Sequence, residues 1–234
     1  MADVIKQTEL EIPNLHKALN VSCYIQQTAI RTTRMKLFDF FKIFRQETTS
    51  RIEVKSDVYL PSFWEDDYCQ IEIVPFENKE YIIKTIEQIN DLANKSRTDF
   101  GFTETFGRGQ MPVTTFSKEF RTDYLQQLLT GFEFERAKSI NYDSRKILNC
   151  ETGLTKAFGF SNFTMFFDTE EEFVKNIWLS VSLIVSVKQY DLIKSALYSL
   201  GEECEMVLVD WNSLELFDLR NKNQIDKYLM DYWK

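Results

Sequence analysis

Proton transfer, metal binding and nucleophilic attack draw on a short list of side chains, and this chain is poor in one of them. His16 is its only histidine. That excludes metal sites built on two imidazoles and any relay that needs two. A triad with one histidine needs a nucleophile, and no serine stands in a Gly-x-Ser-x-Gly elbow. His16 lies in Asn14-Leu15-His16-Lys17, within a polar leader, where a surface histidine is expected. The four cysteines, Cys23, Cys69, Cys150 and Cys204, are widely spaced and form no Cys-x-x-Cys pair. They are expected to be free thiols in a reducing compartment. No metal and no cofactor is expected from this set.

Two short strings could carry recognition. The first is Phe106-Gly107-Arg108-Gly109-Gln110-Met111-Pro112. Gly107 and Gly109 let the backbone come close to a ligand, and Arg108 could grip a carboxylate or phosphate. The string lacks the Lys-Ser/Thr ending of a P-loop and the spacing of a dinucleotide fingerprint. The second is Trp64-Glu65-Asp66-Asp67, after Pro61, where a large aromatic stands beside three acids in an expected turn. An aromatic anchor with a charged surround suits a protein interface. The competing expectation is that Phe63 or Trp64 tucks under a sheet while the acids are simply wet. Other acids read as helix ends or solvated runs: Asp168 and Glu171 have capping-box spacing, Glu170 to Glu172 favour a helix N-terminus, and Glu202 to Glu205 follow an expected helix end.

The elements that must position these groups follow from periodicity. Ile177 to Val187 is an apolar run expected as a central strand. Tyr190, Ile193, Leu197 and Leu200 line one side of a helix ended by Gly201. Met206 to Trp211 and Leu214 to Leu219 flank Asn212-Ser213 as a hairpin, and Ile225, Tyr228, Leu229 and Tyr232 stripe a last helix. Val181, Ile184, Ile193, Leu197, Val207, Val209 and Tyr228 are expected in one core. Upstream, Leu37 to Gln46 reads as helix, Ile52 to Leu60 and Tyr68 to Val74 as paired strands, and Asn78 as the N-cap of a helix striped by Ile82, Ile86 and Ile89. Phe116 to Leu129 reads as a helix inside a stretch that holds most of the seven glycines, the place for a connector or a functional loop.

The 234 residues are 44% hydrophobic and 27% charged, with twenty Phe and ten Tyr. A chain of this size can bury a full core. Together the elements define an α+β fold, antiparallel or mixed sheets packed by helices, with two ferredoxin-like strand-helix units as an alternative arrangement. Three regions suggest themselves, 1–97, 98–162 and 163–234, or one continuous domain. Net charge of −8 argues against general nucleic-acid binding, which needs a basic surface, and favours a basic protein partner. No stretch has the length of a membrane span or a signal peptide, so no membrane contact and a cytoplasmic location are expected. The function expected is a non-enzymatic, intracellular binding or inhibitor protein acting through Trp64, Glu65, Asp66 and Asp67. By analogy of composition, a bacterial toxin-neutralising immunity protein is of this kind. The alternative is an enzyme or small-ligand binder centred on Gly107, Arg108 and Gly109.

Overall fold

The computed structural model describes residues 59–99, 101–144 and 146–233. His16, Cys23, the helix expected over Leu37 to Gln46 and most of the strand expected over Ile52 to Leu60 lie outside them; Tyr59 and Leu60, at its end, are described and stand in no strand.

In chain order the elements are β1 (Ser62–Phe63), β2 (Ile71–Pro75), α1 (Lys79–Ser96), β3 (Arg97–Thr98), β4 (Gly101–Phe102), α2 (Thr122–Gly131), β5 (Glu135–Arg136), β6 (Ser139–Tyr142), β7 (Lys146–Asn149), β8 (Thr155–Phe160), β9 (Phe163–Glu170), β10 (Phe173–Val181), α3 (Val187–Cys204), β11 (Met206–Asp210), β12 (Glu215–Asp218) and α4 (Lys222–Met230). This is an α+β fold. Seven strands form one antiparallel sheet in the order β12-β11-β2-β10-β9-β8-β5. Strand β2 pairs with both β10 and β11 antiparallel, so these two run parallel to each other with β2 between them. The connection β10-α3-β11 is therefore a split β-α-β unit, with its crossover helix packed back on the sheet.

Because side chains alternate across a strand, the sheet has two covered faces. On the first, Ile71 and Ile73, Met165 and Phe167, Ile177 and Leu179, and Met206 and Leu208 meet Leu125, Leu129, Ile193, Leu197, Leu200, Ile225 and Leu229 of helices α2, α3 and α4. The second face has two covers. Helix α1 packs Ile82 and Ile89 over Val74, Val207 and Val209. A small sheet, β1-β6-β7, lays Phe63, Ile140 and Leu148 over Ala157, Phe166 and Trp178. Val207 and Val209 thus belong to the α1 cluster and not to the core of Leu197, because their neighbours Met206 and Leu208 take the other face. Val181 is only partly buried against that core.

Several local expectations are corrected, each for a physical reason. Asp168 and Glu171 cap no helix: β9 continues to Glu170, the chain turns through Glu171 at φ 56°, and β10 begins at Phe173. Helix α2 starts at Thr122, not near Phe116, because Thr114 and Ser117 tie off a separate turn by exchanging side-chain and backbone hydrogen bonds, and Glu119 has φ 52°. Asn78 does not cap α1 with its side chain. Fully buried, it holds Val113 at both ends, donating to the Val113 carbonyl at 2.7 Å and accepting from its N–H at 3.0 Å. Gly201 lies inside α3, which runs on to Cys204, so Glu202 and Glu203 are helical residues rather than a run beyond its end. A Cβ at position 201 would stand 2.3 Å from the Leu219 carbonyl carbon, so the glycine permits close approach of two backbones. The cap is Glu205, in the left-handed region at φ 53°.

Candidate functional site

The Trp64 turn is built from alternation at a strand end. Phe63 points inward, 2% exposed, with its ring 5.1 Å from Phe166 and 5.7 Å from Trp178 between centroids. Trp64, one residue on, points outward and is 52% exposed. Residues Glu65–Asp67 then form one turn of 3-10 helix, all three exposed. The Asp67 N–H donates to the Trp64 carbonyl at 2.9 Å, while Asp67 Oδ2 accepts from the Trp64 N–H at 3.0 Å. The turn is closed on itself and does not depend on a partner for its shape.

It is also fastened to the small sheet. Strand β1 pairs parallel with β6, placing Phe63 opposite Tyr142. The Asp143 N–H donates to the Phe63 carbonyl at 3.1 Å, and Asp143 Oδ1 accepts from the Glu65 N–H at 3.1 Å. Asp143, in the β6–β7 turn with φ 53°, thereby adds a fourth carboxylate to the group. Partial burial and the neighbouring charges of Asp67, Glu65 and Asp143 hold the Asp66 carboxyl above its ordinary range. Among the described residues no Lys or Arg is within ion-pair distance of Asp66 or Asp67, and no group of three or more His, Cys, Asp or Glu is placed to hold a metal ion. The structure brings together Trp64, Glu65, Asp66 and Asp67, as their adjacency requires, and adds Asp143. Sequence reasoning missed Asp143 because its place depends on a strand pairing across 78 residues; the turn-prone Asp143-Ser144 pair was the only local signal.

The second string lies elsewhere, at the seam between the two covers of the second face. Arg108 is spent inside the protein: its side chain is 5% exposed, Nη1 is 3.2 Å from Glu72 Oε2, and Nη2 donates to the Cys69 carbonyl at 3.2 Å. Its guanidinium lies 4.6 Å from the Trp211 ring centre, and Trp211 Nε1 donates to the same Glu72 oxygen at 2.7 Å. Gly107 is half-buried and Gly109 exposed. A Cβ on Gly109 would come within 2.8 Å of the Tyr81 hydroxyl, so the loop packs directly on α1. Burial pushes the Cys69 thiol well above its usual range, with the Glu72 and Asp168 carboxylates acting in the same direction. That suppresses thiolate and with it nucleophilicity.

Beside this clamp, Asp168 is buried in β9. It accepts from the Tyr68 hydroxyl and from Thr155 Oγ1, each at 2.7 Å, while Asn176 donates to Tyr68 at 2.9 Å. Burial still raises the carboxyl above its ordinary range. These hydrogen bonds partner Asp168, Tyr68 and Thr155 inside the protein, while the nearby Gln70 amide and Arg108 Nε are buried without a hydrogen-bond partner among the described residues. Compared with known proteins, the chain matches no family model, no curated protein and no solved structure.

Proposed function

We propose that this protein works by binding a basic surface on another protein, without catalysing a reaction, through Trp64, Glu65, Asp66 and Asp67 with Asp143 as a fifth contributor. One observation carries this: Trp64 is 52% exposed on a turn whose three following acids are all exposed, so a large apolar side chain is presented to solvent among carboxylates. Desolvating such an aromatic on a partner supplies affinity, and the acids steer a cationic surface toward it. The turn is pre-shaped by its own hydrogen bonds, which lowers the ordering cost of binding. Net charge of −8 supports a protein rather than a nucleic-acid partner. Three free thiols among the described residues, Cys69, Cys150 and Cys204, support a reducing, cytoplasmic setting. Among the described residues no helix is long and apolar enough to cross a membrane. An inhibitor of the immunity-protein kind would work this way.

The test is binding kinetics against a partner captured from a native lysate, at several ionic strengths. Association should slow as salt rises, because the screening length falls from about 10 Å at 0.1 M to about 3 Å at 1 M. Trp64→Ala should mainly speed dissociation, at a cost of about 2 kcal/mol or more. Neutralising Glu65, Asp66 and Asp67 together should mainly slow association. Salt-insensitive binding that survives both variants would remove this turn from the interface. Turnover of a small molecule lost on changing Arg108 in a still-folded protein would transfer the function to the Gly107-Arg108-Gly109 loop.

A further inference from the structure

Helix α3 ends against its own electrostatics. Its last turn holds Glu202 and Glu203 with no basic residue, and Glu205 follows as the cap, so carboxylates crowd the end where the helix dipole is already negative. Lys118 Nζ lies 3.7 Å from Glu205 Oε2, and the Arg220 guanidinium is within reach of the charges of Glu202 and Glu205. Glu203 differs: among the described residues no Lys or Arg is within ion-pair distance, and its Oε2 accepts from the Tyr124 hydroxyl at 2.8 Å. That carboxylate borders an open groove of about 310 Å³ between α2 and α3, lined also by Tyr124, Leu128, Gly131, Phe132 and Ser199. A Cβ built on Gly131 would meet no atom within 4 Å, so the groove is unobstructed at that point.

We propose that this groove accepts an arginine side chain of a partner protein, its guanidinium paired with Glu203 and laid against the aromatic wall of Tyr124 and Phe132, its methylenes against Leu128. A carboxylate with no Lys or Arg partner among the described residues selects a positive ligand. The adjacent rings select a flat, weakly hydrated guanidinium over a compact ammonium. The open side admits a side chain tethered to a larger body, whereas a free small molecule is ordinarily enclosed over most of its surface. A bound cation also adds a positive charge beside Glu203 at the end of α3, whose own last turn carries none. The groove is on the helical face of the large sheet and the Trp64 turn belongs to the cover of the opposite face, so this site stands or falls independently of that one.

The test is a titration of the isotope-labelled full chain, followed by amide NMR, with the blocked tripeptide acetyl-Gly-Arg-Gly-amide and its citrulline and lysine counterparts. The arginine peptide should give saturable shifts centred on Tyr124, Gly131 and Glu203, and the neutral citrulline peptide should bind about tenfold more weakly or worse, since it keeps the shape and loses the charge-assisted pair. Glu203→Gln should weaken the arginine peptide by a similar factor. Gly131→Leu should fill the groove and abolish the shifts while the melting temperature is unchanged or raised, since leucine is the better helix former. Equal binding of the citrulline peptide, equal binding of the lysine peptide, or shifts that persist in Glu203→Gln would each overturn the proposal. So would the absence of saturable shifts in the unmodified protein.

Discussion

At the scale of single residues, charge and burial sort the two strings of the sequence into different roles. Asp66 sits among like charges that raise its carboxyl above the usual range. Its negative charge is therefore lost, as pH falls, earlier than for an isolated aspartate. A cationic partner opposes that shift, so binding should strengthen as pH rises through the raised value and should release a proton in weakly acid buffer. Calorimetry in buffers of different ionisation heat checks this; a proton uptake on binding, or a pH dependence unchanged in Asp66→Asn, would contradict it. Arg108 makes the opposite case. Removing it strands the Glu72 carboxylate, 15% exposed, without its cation, and breaking such a pair costs about 3–5 kcal/mol. Urea unfolding of Arg108→Met should show a loss of that size, with much of it recovered in the Glu72→Met/Arg108→Met double variant. A wild-type melting curve for the single variant would mean that the clamp contributes little to the fold.

At the scale of elements, what the sequence shows is what short-range geometry controls. The outward turn of Trp64 follows from inward Phe63 one residue earlier, and the stripe Ile193, Leu197 and Leu200 lies on the core as its spacing requires. Where long-range packing decides, local patterns mislead. Asp168 and Glu171 have the spacing of a capping box and lie in a β hairpin, because the run of aromatics before them is pinned between β8 and β10. Gly201 resembles a helix stop and is an interior residue, because the backbone of Leu219 crosses it. The difference is measurable. Alanine is a better helix former than glycine by about 1 kcal/mol, so an exposed Gly201 would make Gly201→Ala stabilising. With a Cβ placed 2.3 Å from the Leu219 carbonyl carbon, the substitution should instead lower the melting temperature and weaken the contact between α3 and the β12–α4 connection. Asn78 teaches the same lesson: its position before a helix was visible, but its use as a clamp on Val113 depends on a loop far along the chain.

At the scale of the whole molecule, the α+β class was legible because strand and helix periods are clear from Ile177 onward, while the order of strands was not. Nothing local in Ile71 to Pro75 reveals that it stands between β10 and β11. Leu197 is 0% exposed in the larger core, and Leu197→Ala should cost about 2–5 kcal/mol by chemical denaturation, through lost contacts and the cavity left behind. A loss under about 1 kcal/mol would mean that α3 is not held on the sheet as described. The position of β2 also has a consequence in time. On the ribosome Ile71, Ile73 and Val74 leave the exit tunnel long before their neighbours exist: 139 residues separate Glu72 from Trp211. At about 5–20 residues per second the wait is on the order of ten seconds. Until β10 emerges this apolar strand has both edges unpaired, and until β11 follows it still has one, a state prone to sticking to other chains. Nascent chains stalled before β11 should therefore be captured by hydrophobic-segment chaperones and released once α4 has emerged, and slowing elongation between β10 and β11 should lower the yield of folded protein while leaving its final stability unchanged.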